Sequence, residues 1–277
     1  MSDEPLNILC FGAHPDDCDF RYGGMAMLWR ALGHQVKFVS LTNGDTGHHA
    51  MGGGDLARRR WAEAQAAGCI ADVEYEVVDI HNGELEPTVT VRKLVIERMR
   101  LFRADLVLCH RANDYHPDHR SVGMLVQDAS YIVTVPNVCP LTPPLKRAPV
   151  LGYAFDQFAL PNPYRVDVAI DTDPVFERKV DMAHCHASQV YEWLPYNDGY
   201  LDEVPVTEEA RRNWLGERLQ RRFGQVAGVA RDVLKRIYGE ERGAAVRTAE
   251  TVSFSEYGRR ATPEEVARLF PFLPAQK

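Results

Sequence analysis

Short apolar runs and segments of helical period alternate along the first half of the chain. Residues 6–11 form a continuous apolar run of strand length, and residues 20–32 have helical spacing with Gly33 as a stop signal. The pairing recurs as strand 36–41, helix 56–67, strand 73–78, helix 89–103, strand 106–109 and a helical segment at 119–130. Strands alternating with helices in this way predict an α/β, Rossmann-like fold, a mainly parallel sheet covered by helices on both faces. The texture then changes. Residues 135–149 hold Pro136, Pro140, Pro143, Pro144 and Pro149 and are predicted to be irregular. Strands at 151–155 and 166–170, a helix at 173–187, a turn-rich aromatic stretch at 190–204 and a charged amphipathic helix at 208–238 follow. With no internal repeat and no clear linker, residues 1–277 are expected to form a single domain. Its core runs to about residue 135, and a C-terminal α/β elaboration occupies about 136–277.

Two polar clusters punctuate this pattern. The loop after the first predicted strand reads His14-Pro15-Asp16-Asp17, and the loop after strand 106–109 contains His116-Pro117-Asp118-His119. Open α/β sheets bind ligands at the carboxyl ends of their strands, so both clusters are expected at one edge of one sheet. A catalytic zinc site usually takes three protein ligands and keeps a position for water. His14, Asp17 and His119 supply such a set, and other divalent ions suit the same N/O donors. Asp16 is then placed to accept the water's proton as general base. His116, protonated and held by Asp118, is placed to stabilise an oxyanion. Either cluster alone also reads as an aspartate capping the next helix. Two of them, each after a predicted strand, favour the site. Asp45, His48 and His49, in the glycine-rich loop 42–54, face the same edge and read either as substrate contacts or as solvated loop residues.

Composition narrows the partners. The formal net charge of −7 favours neither a nucleic acid nor an anionic membrane surface. No apolar run approaches the roughly 20 residues needed to span a bilayer. The first ten residues lack the basic flank of a signal peptide, and the six cysteines are scattered with no C-x-x-C pair. These features lead to the expectation of a cytoplasmic protein with reduced thiols. A nucleotide-binding core is disfavoured, because the first turn reads Gly12-Ala13-His14-Pro15-Asp16-Asp17 rather than G-x-G-x-x-G, and two carboxylates repel a pyrophosphate.

The segment Phe11 to Asp17, the pair Gly23-Gly24 and the downstream His116 to His119 together resemble the PIG-L/LmbE family of zinc-dependent N-deacetylases. The resemblance extends to Leu41-Thr42-Asn43-Gly44-Asp45, to Arg60-x-x-Glu63 and to His186-x-Ser188-Gln189. It implies a Rossmann-like fold, Zn2+ held by His14, Asp17 and His119, Asp16 as base, and His116 paired to Asp118 as acid or oxyanion stabiliser. It also implies removal of an acetyl group from an N-acetylglucosamine-type sugar or glycoconjugate, and it inclines towards a homo-oligomer. Arg60 resembles the family's sugar-hydroxyl-binding arginine, although it also reads as a surface arginine paired with Glu63. His186 reads either as reaching the pocket or as a structural histidine. Tyr191, Trp193 and Tyr196 read as core filling or as a surface stacking on a sugar. The chain departs from the family in having Cys18 where many members have glutamate, and Asp114 where some have tyrosine, with Tyr115 beside it. A zinc-dependent hydrolase of a non-sugar amide or thiol conjugate is the competing enzyme reading, since the same residues would serve it. A non-catalytic metal-binding protein is the third.

Overall fold

The apolar run that opens the chain is buried on both sides, and this dictates the layering. In β1 (Asn7–Gly12), Ile8 and Cys10 enter one hydrophobic cluster, while Leu9 and Phe11 enter another. The chain, described over residues 4–274 of a computed structural model, continues as α1 (Asp17–Ala31), β2 (Gln35–Ser40), α2 (Gly53–Ala71) and β3 (Glu74–Val77). Then come α3 (Val89–Leu101), β4 (Leu106–Cys109), α4 (Pro117–Ile132), β5 (Val150–Ala154), β6 (Val168–Asp171) and α5 (Phe176–His184). The last elements are α6 (Leu194–Asn197), α7 (Glu208–Val229), α8 (Arg231–Tyr238), α9 (Glu240–Ala245), β7 (Ala249–Gly258) and α10 (Pro263–Leu269).

The seven strands form one mixed sheet in the order β3-β2-β1-β4-β5-β7-β6. The first five are parallel, and β7 runs antiparallel to both β5 and β6. One face is covered by α1, α2 and α10, whose Trp29, Ala64 and Leu269 share a cluster with Ile8 and Leu106. The other is covered by α3 and α4 through Ile96, Met99, Leu125 and Val126. The fold class is therefore a mainly parallel α/β sheet flanked by helices. Strand order reverses between β1 and β4, so the loops leaving these neighbouring strands open a crevice at the switch point. Both His-Pro-Asp clusters lie in those two loops.

The C-terminal half contributes strands to the same sheet and also grips α1. Glu250 of β7 accepts hydrogen bonds from the backbone N–H groups of Gly24 and Met25, both at 2.8 Å, and pairs with buried Lys179 of α5. A side chain at position 24 would put its Cβ 2.9 Å from that carboxylate, which accounts for glycine there. Two expectations need correcting. Strand β7 was not anticipated, because Thr251, Ser253 and Ser255 alternate with apolar residues and mimic a solvated face. They are buried instead, and Tyr164 and Tyr153 bond Thr251 and Ser255 at 3.1 and 2.7 Å. The helix expected over 208–238 is two helices joined at Ala230, after which α9 packs so tightly on α8 that a Cβ at Gly243 would lie 2.4 Å from Lys235 Cα. No helix among the described residues is long and apolar enough to cross a membrane.

Candidate active site

The first loop is tied down by its own backbone. The carbonyl of His14 accepts the N–H groups of Asp16 and Asp17, and the carbonyl of Ala13 accepts Thr42 N–H at 2.9 Å and Thr42 Oγ1–H at 2.7 Å. Asp17 opens α1 and folds back, its Oδ2 accepting the N–H groups of Ala13 at 3.0 Å and His14 at 2.8 Å. A Cβ at position 12 would lie 2.8 Å from Asp17 Cβ, so only glycine lets the carboxylate approach. The second loop ends in an N-cap. His116 Nδ1 accepts the N–H of Asp118 at 3.2 Å, with Pro117 in the first turn of α4.

These constraints bring His14, Asp17 and His119 together. His14 Nδ1, Asp17 Oδ2 and His119 Nε2 form a triangle with all three sides 3.3 Å. Ligand bonds of about 2.0–2.2 Å in a tetrahedral zinc site place donor atoms about 3.3–3.6 Å apart, so the triangle has the size of three ligand positions around one ion. The outer nitrogens are held by carboxylates. His14 Nε2 lies 3.2 Å from Asp118 Oδ2, and His119 Nδ1 lies 3.0 Å from Asp114 Oδ1. With those nitrogens donating, both lone pairs point into the triangle. Asp118 is fully buried and also accepts Gly83 N–H at 2.7 Å and Leu85 N–H at 3.3 Å.

Electrostatics agree with the donor set. Burial works against charge on His14, yet hydrogen bonds to Asp118 and Asp17 and the charges of Asp17 and Asp16 raise its pKa to about 9. His119 is likewise raised against burial, by the charge of Asp17 and its bond to Asp114. The carboxylates around these two histidines therefore favour positive charge at the triangle. A divalent cation fits these residues on both counts, distance and charge.

Asp16 sits beside the triangle, partly exposed, with Oδ1 3.2 Å from Arg60 Nη2. The His116 ring stands edge-on to His14 with centroids 4.5 Å apart. Its pairing with Asp118 is corrected by the structure, because Asp118 Oδ2 is 4.0 Å from His116 Nδ1 and serves His14 instead. Burial and the neighbouring charges of His14 and His119 push His116 down to about 4, so at neutral pH it is an uncharged donor through Nε2.

The residues expected to touch substrate divide. Arg60 is 1% exposed and lies behind Asp16, not at a surface where a sugar hydroxyl would be met, and Arg59 takes the bond to Glu63 at 3.1 Å. Asp45 is buried and organises its loop, bonding His81 Nδ1 at 2.6 Å and Asn82 N–H at 3.1 Å. His186 is fully buried with Nε2 3.4 Å from Asp19 Oδ2, remote from solvent. His49 does reach the surface, stacked between His48 and Tyr196 with centroids 4.6 and 4.2 Å away. Of the aromatic stretch, Tyr191 is core and Tyr196 is exposed. Cys18 is buried behind the loop with Sγ 3.5 Å from Cys10 O, and burial keeps it a thiol. Sequence reasoning noted Asp114 only as a departure from the family and read His110 as structural; Asp114 orients His119, and His110 stacks on His119 at 4.1 Å and approaches Asp17 Oδ2 to 3.3 Å. Both stand just before His116 in the same loop, and their polar character was the only available signal.

Residues 9–130, which include both clusters, match the family model PIG-L, GlcNAc-PI de-N-acetylase. This match spans a little under half of the chain. Among solved structures it is similar to N,N'-diacetylchitobiose deacetylase from Pyrococcus horikoshii, with TM-score 0.67, 21% identity, and 90% of this chain and 83% of that one covered. It is also similar to GalB, the 4-carboxy-2-hydroxymuconate hydratase from Pseudomonas putida KT2440, with TM-score 0.72, 22% identity and coverage of 93% and 98%. A third is a triple mutant of a deacetylase of the teicoplanin biosynthetic pathway, with TM-score 0.61, 15% identity and coverage of 91% and 99%. At such identities these likenesses establish the shared fold, one that hosts deacetylases and a hydratase.

Proposed function

We propose that the protein is a metal-dependent N-deacetylase acting on an N-acetylglucosamine-type sugar or glycoconjugate. The observation that carries this reading is the 3.3 Å triangle of His14 Nδ1, Asp17 Oδ2 and His119 Nε2, within the span matched by the family. These three residues would hold Zn2+ or a similar ion. When bound, such an ion lowers the pKa of water to about 7 and polarises a carbonyl. Asp16 takes the proton of the attacking water at its carboxylate, and Arg60, 3.2 Å away, orients that carboxylate. His116 donates its Nε2–H to the carbonyl oxygen as negative charge develops there, without itself being charged. Asp118 and Asp114 fix the tautomers of His14 and His119. The family match supports the amino-sugar half of the proposal, because Asp45 is engaged with His81 and Asn82 and Arg60 is buried against Asp16.

The test is acetate release from a panel of N-acetylated amino sugars by metal-stripped protein, with and without added zinc. Zinc-dependent release is expected. Stoichiometric zinc binding with no acetate from any member would move the substrate outside amino sugars, towards another amide or a hydration.

A further inference from the structure

The arginines of α7 are not equivalent. Arg211 donates to Pro205 O at 2.9 Å, Arg212 pairs with Asp181 at 2.6 Å, and Arg218 covers the rings of Tyr200 and Trp214 at 3.8 and 4.7 Å. Among the described residues neither Arg221 nor Arg222 has a carboxylate within 4.0 Å, and of the two only Arg222 lies over a ring of α1, its Cζ 5.4 Å from the Phe20 centroid. Phe20 is three residues beyond Asp17 on α1, so this contact places the guanidinium on the side of α1 next to the metal-site loop. The position is fixed from behind. Phe223, the next residue of α7, is buried in one cluster with Phe20 and Leu219, and Lys179 Nζ caps its ring at 3.6 Å.

Arg222 is exposed to solvent, yet desolvation by protein around it lowers its pKa, and the nearby charges that bear on it are Arg21, Asp16 and Asp17. Its neighbour Arg21 is already committed, donating to Phe155 O at 2.9 Å and lying 3.9 and 3.8 Å from the carboxylates of Asp17 and Asp114. Tyr115, 71% exposed, stands edge-on to both His116 and His119 at the same mouth. In a chain of net charge −7, an arginine without an acidic partner beside a catalytic crevice is an unspent recognition element.

We propose that Arg222 binds an anionic group, a carboxylate or a phosphate, on the substrate whose acyl group enters the His14–Asp17–His119 site. This rests on the deacetylase reading and names a feature of the substrate class. An exposed arginine meeting such a group in a partly desolvated cleft changes affinity by roughly tenfold or more.

The experiment compares zinc-loaded wild type, Arg222→Ala, Arg222→Lys and Arg222→Glu on N-acetylglucosamine, N-acetylglucosamine 6-phosphate and N-acetylmuramic acid. The readout is the ratio of kcat/KM for each anionic substrate to that for the neutral one. A ratio of about ten or more is expected for phosphate, carboxylate or both, and the responding arm identifies the anion. The ratio should fall towards one in Arg222→Ala, recover in part in Arg222→Lys and drop below one in Arg222→Glu. Ratios that are equal in wild type and Arg222→Ala overturn the proposal. If no substrate is deacetylated, the deacetylase reading fails, and binding decides the arginine separately. Tighter binding of glucosamine 6-phosphate than glucosamine, abolished in Arg222→Ala, would support it, and equal affinities would overturn it.

Discussion

The two His-Pro-Asp loops have nearly the same sequence and do different work. In the loop after β1, His14 turns its Nδ1 into the donor triangle and Asp16 stays partly exposed beside it. In the loop after β4, the corresponding histidine, His116, spends its Nδ1 on the N-cap of α4, and the corresponding aspartate, Asp118, is fully buried. The difference follows from where each helix begins. Helix α1 starts at Asp17, so the aspartate before it lies outside the helix and faces the crevice. Helix α4 starts at Pro117, so Asp118 is already in the first turn, where it points inward to His14. One tripeptide thus supplies a donor and a base, and the other supplies a donor's support and a hydrogen-bond donor. The second loop holds the first in working order.

If this division is right, matched substitutions in the two loops should separate cleanly. Asp16→Asn should retain the metal and lower turnover by roughly 10²–10⁴, the usual worth of a positioned base; metal content and kcat check this together, and loss of the ion would mean that Asp16 is a ligand. His116→Ala should also retain the metal and cost about 10²–10³ in kcat, as removal of an oxyanion donor does. Because His116 is held near pKa 4 and acts uncharged, its loss should leave any fall in activity above pH 7 where it was. A basic limb that vanished in His116→Ala would restore the charged-acid role. Asp118→Asn should have the smallest effect, about 10–100-fold in zinc affinity, since it acts on the ion through the orientation of His14 and the 83–85 loop. An effect on kcat at saturating zinc as large as that of Asp16→Asn would place Asp118 in the chemistry itself.

The layering and the two site-bearing loops were legible because both are local signals: apolar runs buried on both faces, then polar clusters at strand ends. The cross-connections were not. Asp118 reaches a histidine 104 residues away, and nothing local distinguishes that from a bond to His116 two residues before it. In the run Arg58-Arg59-Arg60, only helix phase decides which residue is buried. Leu56, Arg60, Ala64 and Ala67 share the buried stripe of α2, so Arg60 turns inward to Asp16 while Arg59 turns out to Glu63 and Glu192. That stripe was readable at helical spacing, but a charged residue on it is read as surface by type. Strand β7 escaped for the same reason, its hydroxyl residues being buried against tyrosines.

The central claim is that His14 and His119, from two loops, hold one ion with Asp17. The direct test is calorimetric titration of metal-stripped protein with zinc at pH 7 in buffers of different ionisation enthalpy. His14 has a folded pKa of about 9, so it carries a proton below that pH and must release it to coordinate. The account predicts one ion per chain with net proton release on binding at pH 7, and loss of this binding in both His14→Ala and His119→Ala. Zinc binding of undiminished affinity in those two variants would contradict it.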